Sequence, residues 1–106
     1  MDSQYVKMAK YFKALSDPKR VKIVDLLSCG EMCGCVLLKC FEITQPTLAH
    51  DMKVLIEAGI VKSRREGKRT FYSINQEAMD LLNEKMKEIY TTGCGKDNAK
   101  GTSEKK

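Results

Sequence analysis

At 106 residues the chain is one domain's length, and its 42% hydrophobic and 31% charged residues exclude a disordered polymer. No apolar run approaches the roughly 18–20 residues of a membrane span. Lys7, Lys10 and Lys13 interrupt any leader-like core, so a cytoplasmic chain with no membrane partner is expected. The net charge of +5 is concentrated between Lys62 and Arg69, where five basic residues stand against one acid, a density suited to a phosphate backbone.

From Tyr5 to Leu15, Val6, Met8, Ala9, Tyr11, Phe12 and Leu15 recur at spacings of three and four and predict an amphipathic helix. Ser16-Asp17-Pro18 supplies a break, a cap and a proline at a first helical position. The second helix should bury Val21, Ile23, Val24, Leu26 and Leu27 and stop near Gly30. Val36–Phe41 reads as a short third helix. Thr44 and Pro46 mark the start of a fourth, which ends at Gly59. Leu48, Met52, Leu55 and Ile56 form its apolar stripe and leave Gln45, Thr47, His50 and Lys53 outside it. Ile60–Arg65, a turn at Glu66-Gly67-Lys68 and Arg69–Ile74 predict a β-hairpin with a basic tip. Phe71 and Tyr72 are expected to pack within it. Gln76–Tyr90 returns to the helical period through Met79, Leu82, Met86 and Ile89.

The expected fold is mainly α (α+β): a winged helix-turn-helix of four helices, a hairpin and a fifth helix, dimeric, over residues 1–90. Residues 91–106 are expected to be a disordered polar tail. Two short helices joined by a tight turn, the second polar on one side, fit duplex DNA. Thr44, Gln45, Thr47, His50 and Lys53 are the candidates for the major groove. Arg64, Arg65, Lys68 and Arg69 on the hairpin are the candidates for phosphates or the minor groove. No paired acid and base, no nucleophile beside a histidine and no phosphate loop is present, so an enzyme is not expected.

Four segments together resemble the ArsR/SmtB family of metal-responsive repressors: 14–20 (ALSDPKR), 44–50 (TQPTLAH), 55–61 (LIEAGIV) and 64–68 (RREGK). The resemblance covers roughly Tyr5 to Tyr90. It implies a homodimer, with the first and last helices at its interface, bound to an inverted-repeat operator and released by ligand.

Five cysteines in a reducing compartment are thiols rather than a disulfide framework. Cys33-Gly34-Cys35, at the start of the third helix, resembles the C-x-C of family members that sense arsenite, antimonite, cadmium or lead. Thiolates suit such soft ions, and helix N–H dipoles favour the thiolate. The glycine is expected to give the backbone freedom to turn both thiols onto one ion. As(III) or Sb(III) is the expected inducer, with Cd(II), Pb(II) or a thiol oxidation as alternatives. The common arsenite pattern places a third cysteine where this chain has Leu38. Cys40 lies two residues further on and, about 500° of helix from Cys35, faces another way. The third ligand is thus open between Cys40, Cys29, Cys94 and a small external thiol. Beside apolar neighbours, Cys29 and Cys40 are expected to be buried packing residues. A zinc site on the last helix is not expected, because that helix has no histidine.

Overall fold

The computed structural model describes residues 2–91; Cys94 and the predicted polar tail beyond Thr91 lie outside them. The element order is α1 (Ser3–Ala14), α2 (Pro18–Leu27), β1 (Met32–Cys33), α3 (Gly34–Cys40), α4 (Gln45–Glu57), β2 (Val61–Glu66), β3 (Arg69–Ile74) and α5 (Gln76–Thr91). This is a winged helix-turn-helix. β2 and β3 form the wing, joined by a two-residue turn in which Gly67 takes φ +64°.

Caps set the helix starts as the sequence led one to expect. The Asp17 carboxylate accepts from the Lys19 N–H at 2.7 Å ahead of Pro18, and the Thr44 hydroxyl accepts from the Thr47 N–H at 3.3 Å ahead of Pro46. The core gathers Met8 and Tyr11 of α1, Ile23 and Leu27 of α2, Leu37 of α3, Leu48, Met52 and Leu55 of α4, Ile60 and Val61 at the wing's base, and Ala78 and Leu82 of α5. Asn75 ties the end of α4 to the start of α5. Its side-chain amide donates to the Gly59 carbonyl at 3.0 Å, and its oxygen accepts from the Ala78 N–H at 3.3 Å.

Three expectations change. The sheet has three strands in the order β1-β3-β2, because Met32 pairs with Tyr72 and Cys33 with Phe71. A two-residue strand carries no alternation to read, and sequence pattern therefore missed β1. Val21 and Ile56, expected inside, are exposed. In place of Ile56, α4 buries the charged Asp51, which is 1% exposed. Cys29 and Cys40 are exposed, not packed.

Candidate thiol site and nucleic-acid interface

Cys33 belongs to two elements at once. It closes β1 against β3 and is the N-cap of α3, its sulfur accepting from the Cys35 N–H at 3.3 Å. Cys35 is the second residue of the helix and is exposed, whereas Cys33 is buried. The two Sγ atoms stand 2.6 Å apart. The hydrogen bond from the Cys35 thiol lowers the Cys33 pKa below the ordinary thiol value, aided by the Cys35 and Val36 N–H groups and the charge of Arg69. The same hydrogen bond, with burial and the facing Cys33 charge, pushes Cys35 up. The pair thus favours one thiolate and one thiol, with the charge on Cys33.

Gly34 owes its place to space rather than to an unusual backbone. A Cβ there would lie 3.3 Å from the Tyr72 ring, so the absence of a side chain lets α3 start directly against β3. Tyr72 is raised by burial and by the nearby Cys33 charge. On the other side of β1, the Glu31 carboxylate accepts two hydrogen bonds from the Arg64 guanidinium, at 2.7 and 2.8 Å. These bonds lower the Glu31 pKa and raise that of Arg64. Arg64 also covers the Phe71 ring at 4.7 Å.

The thiol pair opens on a cleft of about 480 Å³. One wall is the start of α4, with Gln45, Leu48 and Ala49; another is the wing, with Lys68, Arg69, Thr70 and Tyr72; Leu38 of α3 also lines it. Cys40, at the last residue of α3, does not. Among the described residues, no three His, Cys, Asp or Glu side chains gather where they could hold a metal ion.

Thr44, Gln45, His50 and Lys53 are exposed and Thr47 is half-buried, outside the arc of Leu48, Asp51, Met52 and Leu55. His50 lies on the flank away from the thiols, beside Ala14, Arg20 and Val54. The wing cations divide. Arg64, expected free for a phosphate, is held by Glu31 and lies 3.5 Å from Glu66. Arg65, Lys68 and Arg69 are exposed and make no ion pair among the described residues. Beneath α4, Arg20 donates to Asp51 at 3.0 Å and to the Ala14 carbonyl at 2.6 Å. Sequence reasoning missed this pair and Glu31, because an acid in a helix or loop gives no sign of a partner some thirty residues away.

Residues 17–63 match the family model described as bacterial regulatory protein, arsR family. The chain is 43% identical over 98 residues to an arsenical resistance operon repressor of Staphylococcus xylosus, covering 91% of this chain and 94% of that one. It is 44% identical over 79 residues to a homologue of the cadmium resistance transcriptional regulatory protein CadC of Staphylococcus aureus, covering 74% and 65% of the two chains. Among solved structures, the homodimeric winged helix-turn-helix DNA-binding domain from Mycobacterium bovis superposes with a TM-score of 0.68 at 25% identity, over 84% of this chain and 85% of that one.

Proposed function

This chain belongs to the arsR family of bacterial regulatory proteins, and we propose that it represses transcription as a homodimer on an inverted-repeat operator and leaves the DNA when Cys33 and Cys35 bind As(III) or Sb(III). The observation that carries this reading is the shared cleft. The thiol pair, the first turn of α4 and the tip of the wing line one space, so an ion on the thiols touches both elements that would meet DNA. Two converging sulfurs, one favoured as thiolate, suit a soft thiophilic ion.

Gln45, Thr47, His50 and Lys53, with Thr44 at the cap, face the major groove, and Arg65, Lys68 and Arg69 meet phosphates. Arg64 serves the wing instead, by holding Glu31. Drawing Cys33 and Cys35 onto one ion displaces the start of α3 and, through β1, the wing strand β3. Two docking elements then lose the spacing that half-sites one helical turn apart demand. By linkage, DNA weakens ion binding by the same factor.

The dimer is formed by α1 and α5. Tyr5, Val6 and Phe12 of α1 and Leu81, Met86, Ile89 and Tyr90 of α5 are exposed in the single chain, more large apolar side chains than two surface helices leave in water without a partner. A solved structure of similar fold, from Mycobacterium bovis, is described as homodimeric, which supports a dimer. No helix among the described residues is long and apolar enough to cross a membrane, and cytoplasmic residence belongs to the same proposal. A Cd(II)-responsive repressor is the second reading, favoured by the 44% identity to a cadmium-resistance regulator homologue.

The test is a titration of the reduced protein on its promoter DNA with As(III), Sb(III), Cd(II), Pb(II), Zn(II) and a mild oxidant. Release by As(III) or Sb(III) at the lowest concentration is expected; release by Cd(II) alone would establish the second reading. Arg65→Ala with Lys68→Ala should weaken binding to every sequence and reduce the salt slope by about 2. Gln45→Ala should relax sequence preference by roughly 1–3 kcal/mol. Unchanged operator affinity in both variants would refute the docking.

A further inference from the structure

Resting on the metalloid reading above, we propose that the cleft beside Cys33 and Cys35 binds a small thiol bearing carboxylates, whose sulfur is the third ligand of the ion. Trivalent arsenic takes three thiolates, and the described residues offer two. No third metal-ligating side chain joins Cys33 and Cys35 among them. What lies beside the sulfurs is open space of about 480 Å³, within the range of small-molecule sites. Its chemistry is one-sided. Lys68 and Arg69 line it, both exposed; among the described residues neither is ion-paired and no acid lines the cleft. Gln45 and Thr70 add hydrogen-bonding groups, and the floor is the hydrocarbon of Leu38. A cationic thiol meets like charge and a neutral one only Gln45 and Thr70; an anionic one finds two cations as well.

The exchange is balanced without redox change. The three As–O bonds of arsenous acid give way to three As–S bonds, two to the protein and one to the small thiol. The protons of Cys35 and the small thiol, with one taken from solvent because Cys33 is already held as thiolate, leave with the three hydroxyls as water, and arsenic stays trivalent. The occupant's carboxylates would engage Lys68 and Arg69, the cations that otherwise meet phosphate. The ligand therefore competes with DNA for the wing tip as well as shifting the helices.

The experiment uses the full-length protein, reduced with a phosphine so that no other thiol is present, and titrated with As(III) alone or with mercaptosuccinate, 2-mercaptoethanol or cysteamine. Binding is read from thiolate–arsenic absorbance, and composition from native mass spectrometry. Mercaptosuccinate should tighten As(III) binding about fivefold to tenfold over 2-mercaptoethanol, the size expected of two exposed charge contacts. The complex should carry one mercaptosuccinate per arsenic. Lys68→Ala, which leaves Arg69 beside Cys33, should cut that preference to about twofold to threefold and keep the 2-mercaptoethanol affinity. Equal affinity with all three thiols, or a complex with no external thiol, overturns the proposal. So does a Cys94→Ser variant that loses one As–S bond in X-ray absorption, because the third sulfur is then the chain's own. No arsenic bound under any condition instead removes the metalloid reading on which the proposal stands.

Discussion

The two ends of α4 are held in opposite ways. Its middle and C-terminal part is fixed: Asp51 is buried against Arg20, Met52 and Leu55 are in the core, and Asn75 grips the Gly59 carbonyl just beyond the helix. Its N-terminal turn has the local Thr44–Thr47 cap and a single core residue, Leu48, and Gln45 faces the open thiol cleft. A helix anchored at one end and open at the other can pivot. The open end is the one that lies beside the thiols and would enter the groove. The contrast assigns stability to one set of residues and response to another, and substitutions can separate the two.

The largest effect is expected at the fixed end. Asp51→Ala leaves the Arg20 guanidinium, its side chain 13% exposed, without its countercharge. Breaking a buried pair from one side should cost about 3–5 kcal/mol, read as a lower urea midpoint. One Asp51 oxygen has no hydrogen-bond partner among the described residues, so the pair is not ideally satisfied. A combined Arg20→Met and Asp51→Leu variant should accordingly recover most of the loss. An unchanged midpoint in Asp51→Ala would mean that the anchor is not where the contrast places it.

At the open end, Cys33→Ser and Cys35→Ser should each keep the urea midpoint near the parent's and abolish release of DNA by As(III), since one remaining thiol cannot chelate. The two thiols should also differ in pH dependence. Cys33 is shifted down, so its thiolate persists as pH falls below the range where an ordinary thiol has taken up its proton. Cys35 is shifted up and should react only at higher pH. Alkylation by iodoacetamide, resolved by peptide mass spectrometry across pH, should therefore show a lower onset pH for Cys33 than for Cys35, whatever the absolute rates at the buried and the exposed sulfur; the reverse order of onsets would contradict the assigned proton.

The sequence announced most of this frame and little of the coupling within it. Helix starts at Pro18 and Gln45 were readable because caps and prolines act locally, and the wing because Gly67 sits between the Ile60–Arg65 run and the β-branched and aromatic run Arg69–Ile74. Cys33 and Cys35 stood out by their C-x-C spacing and its resemblance to the sensing pair of family members. That Cys33 is stitched to Phe71 across β1, that Asp51 finds Arg20 31 residues away, and that Arg64 is taken by Glu31 33 residues away are long-range pairings. Periodicity carries no record of them. The Cys29 and Cys40 expectation failed for a related reason: apolar neighbours in sequence did not mean apolar neighbours in space.

Gly34→Ala probes the contact between the thiol turn and the wing. The added methyl would press on Tyr72 at 3.3 Å, tight enough that the ring must move by a few tenths of an ångström. A cost of about 1–3 kcal/mol is expected from overpacking. As(III) affinity should fall as well, because the turn that carries both sulfurs shifts with α3. Normal affinity with lowered stability would show that the sulfurs tolerate the displacement.

The smallest effect is expected at Glu31, and it should be a gain. Glu31→Gln removes the carboxylate that occupies Arg64 in an exposed pair, with side chains 50% and 35% accessible. Exposed pairs contribute little, so the urea midpoint should stay within error of the parent. The guanidinium, left with only its exposed contact to Glu66, adds one cation to the wing that already carries Arg65, Lys68 and Arg69. Affinity for DNA of any sequence should therefore rise modestly, and the salt slope should steepen by about 1, measured by fluorescence anisotropy over a range of potassium chloride. An unchanged slope would mean that Arg64 stays on the Phe71 ring without its acid and that its role is confined to the wing. A fall in affinity would mean that the Glu31–Arg64 pair is needed to hold β1 against β3, and that the wing depends on the thiol turn even before any ion binds.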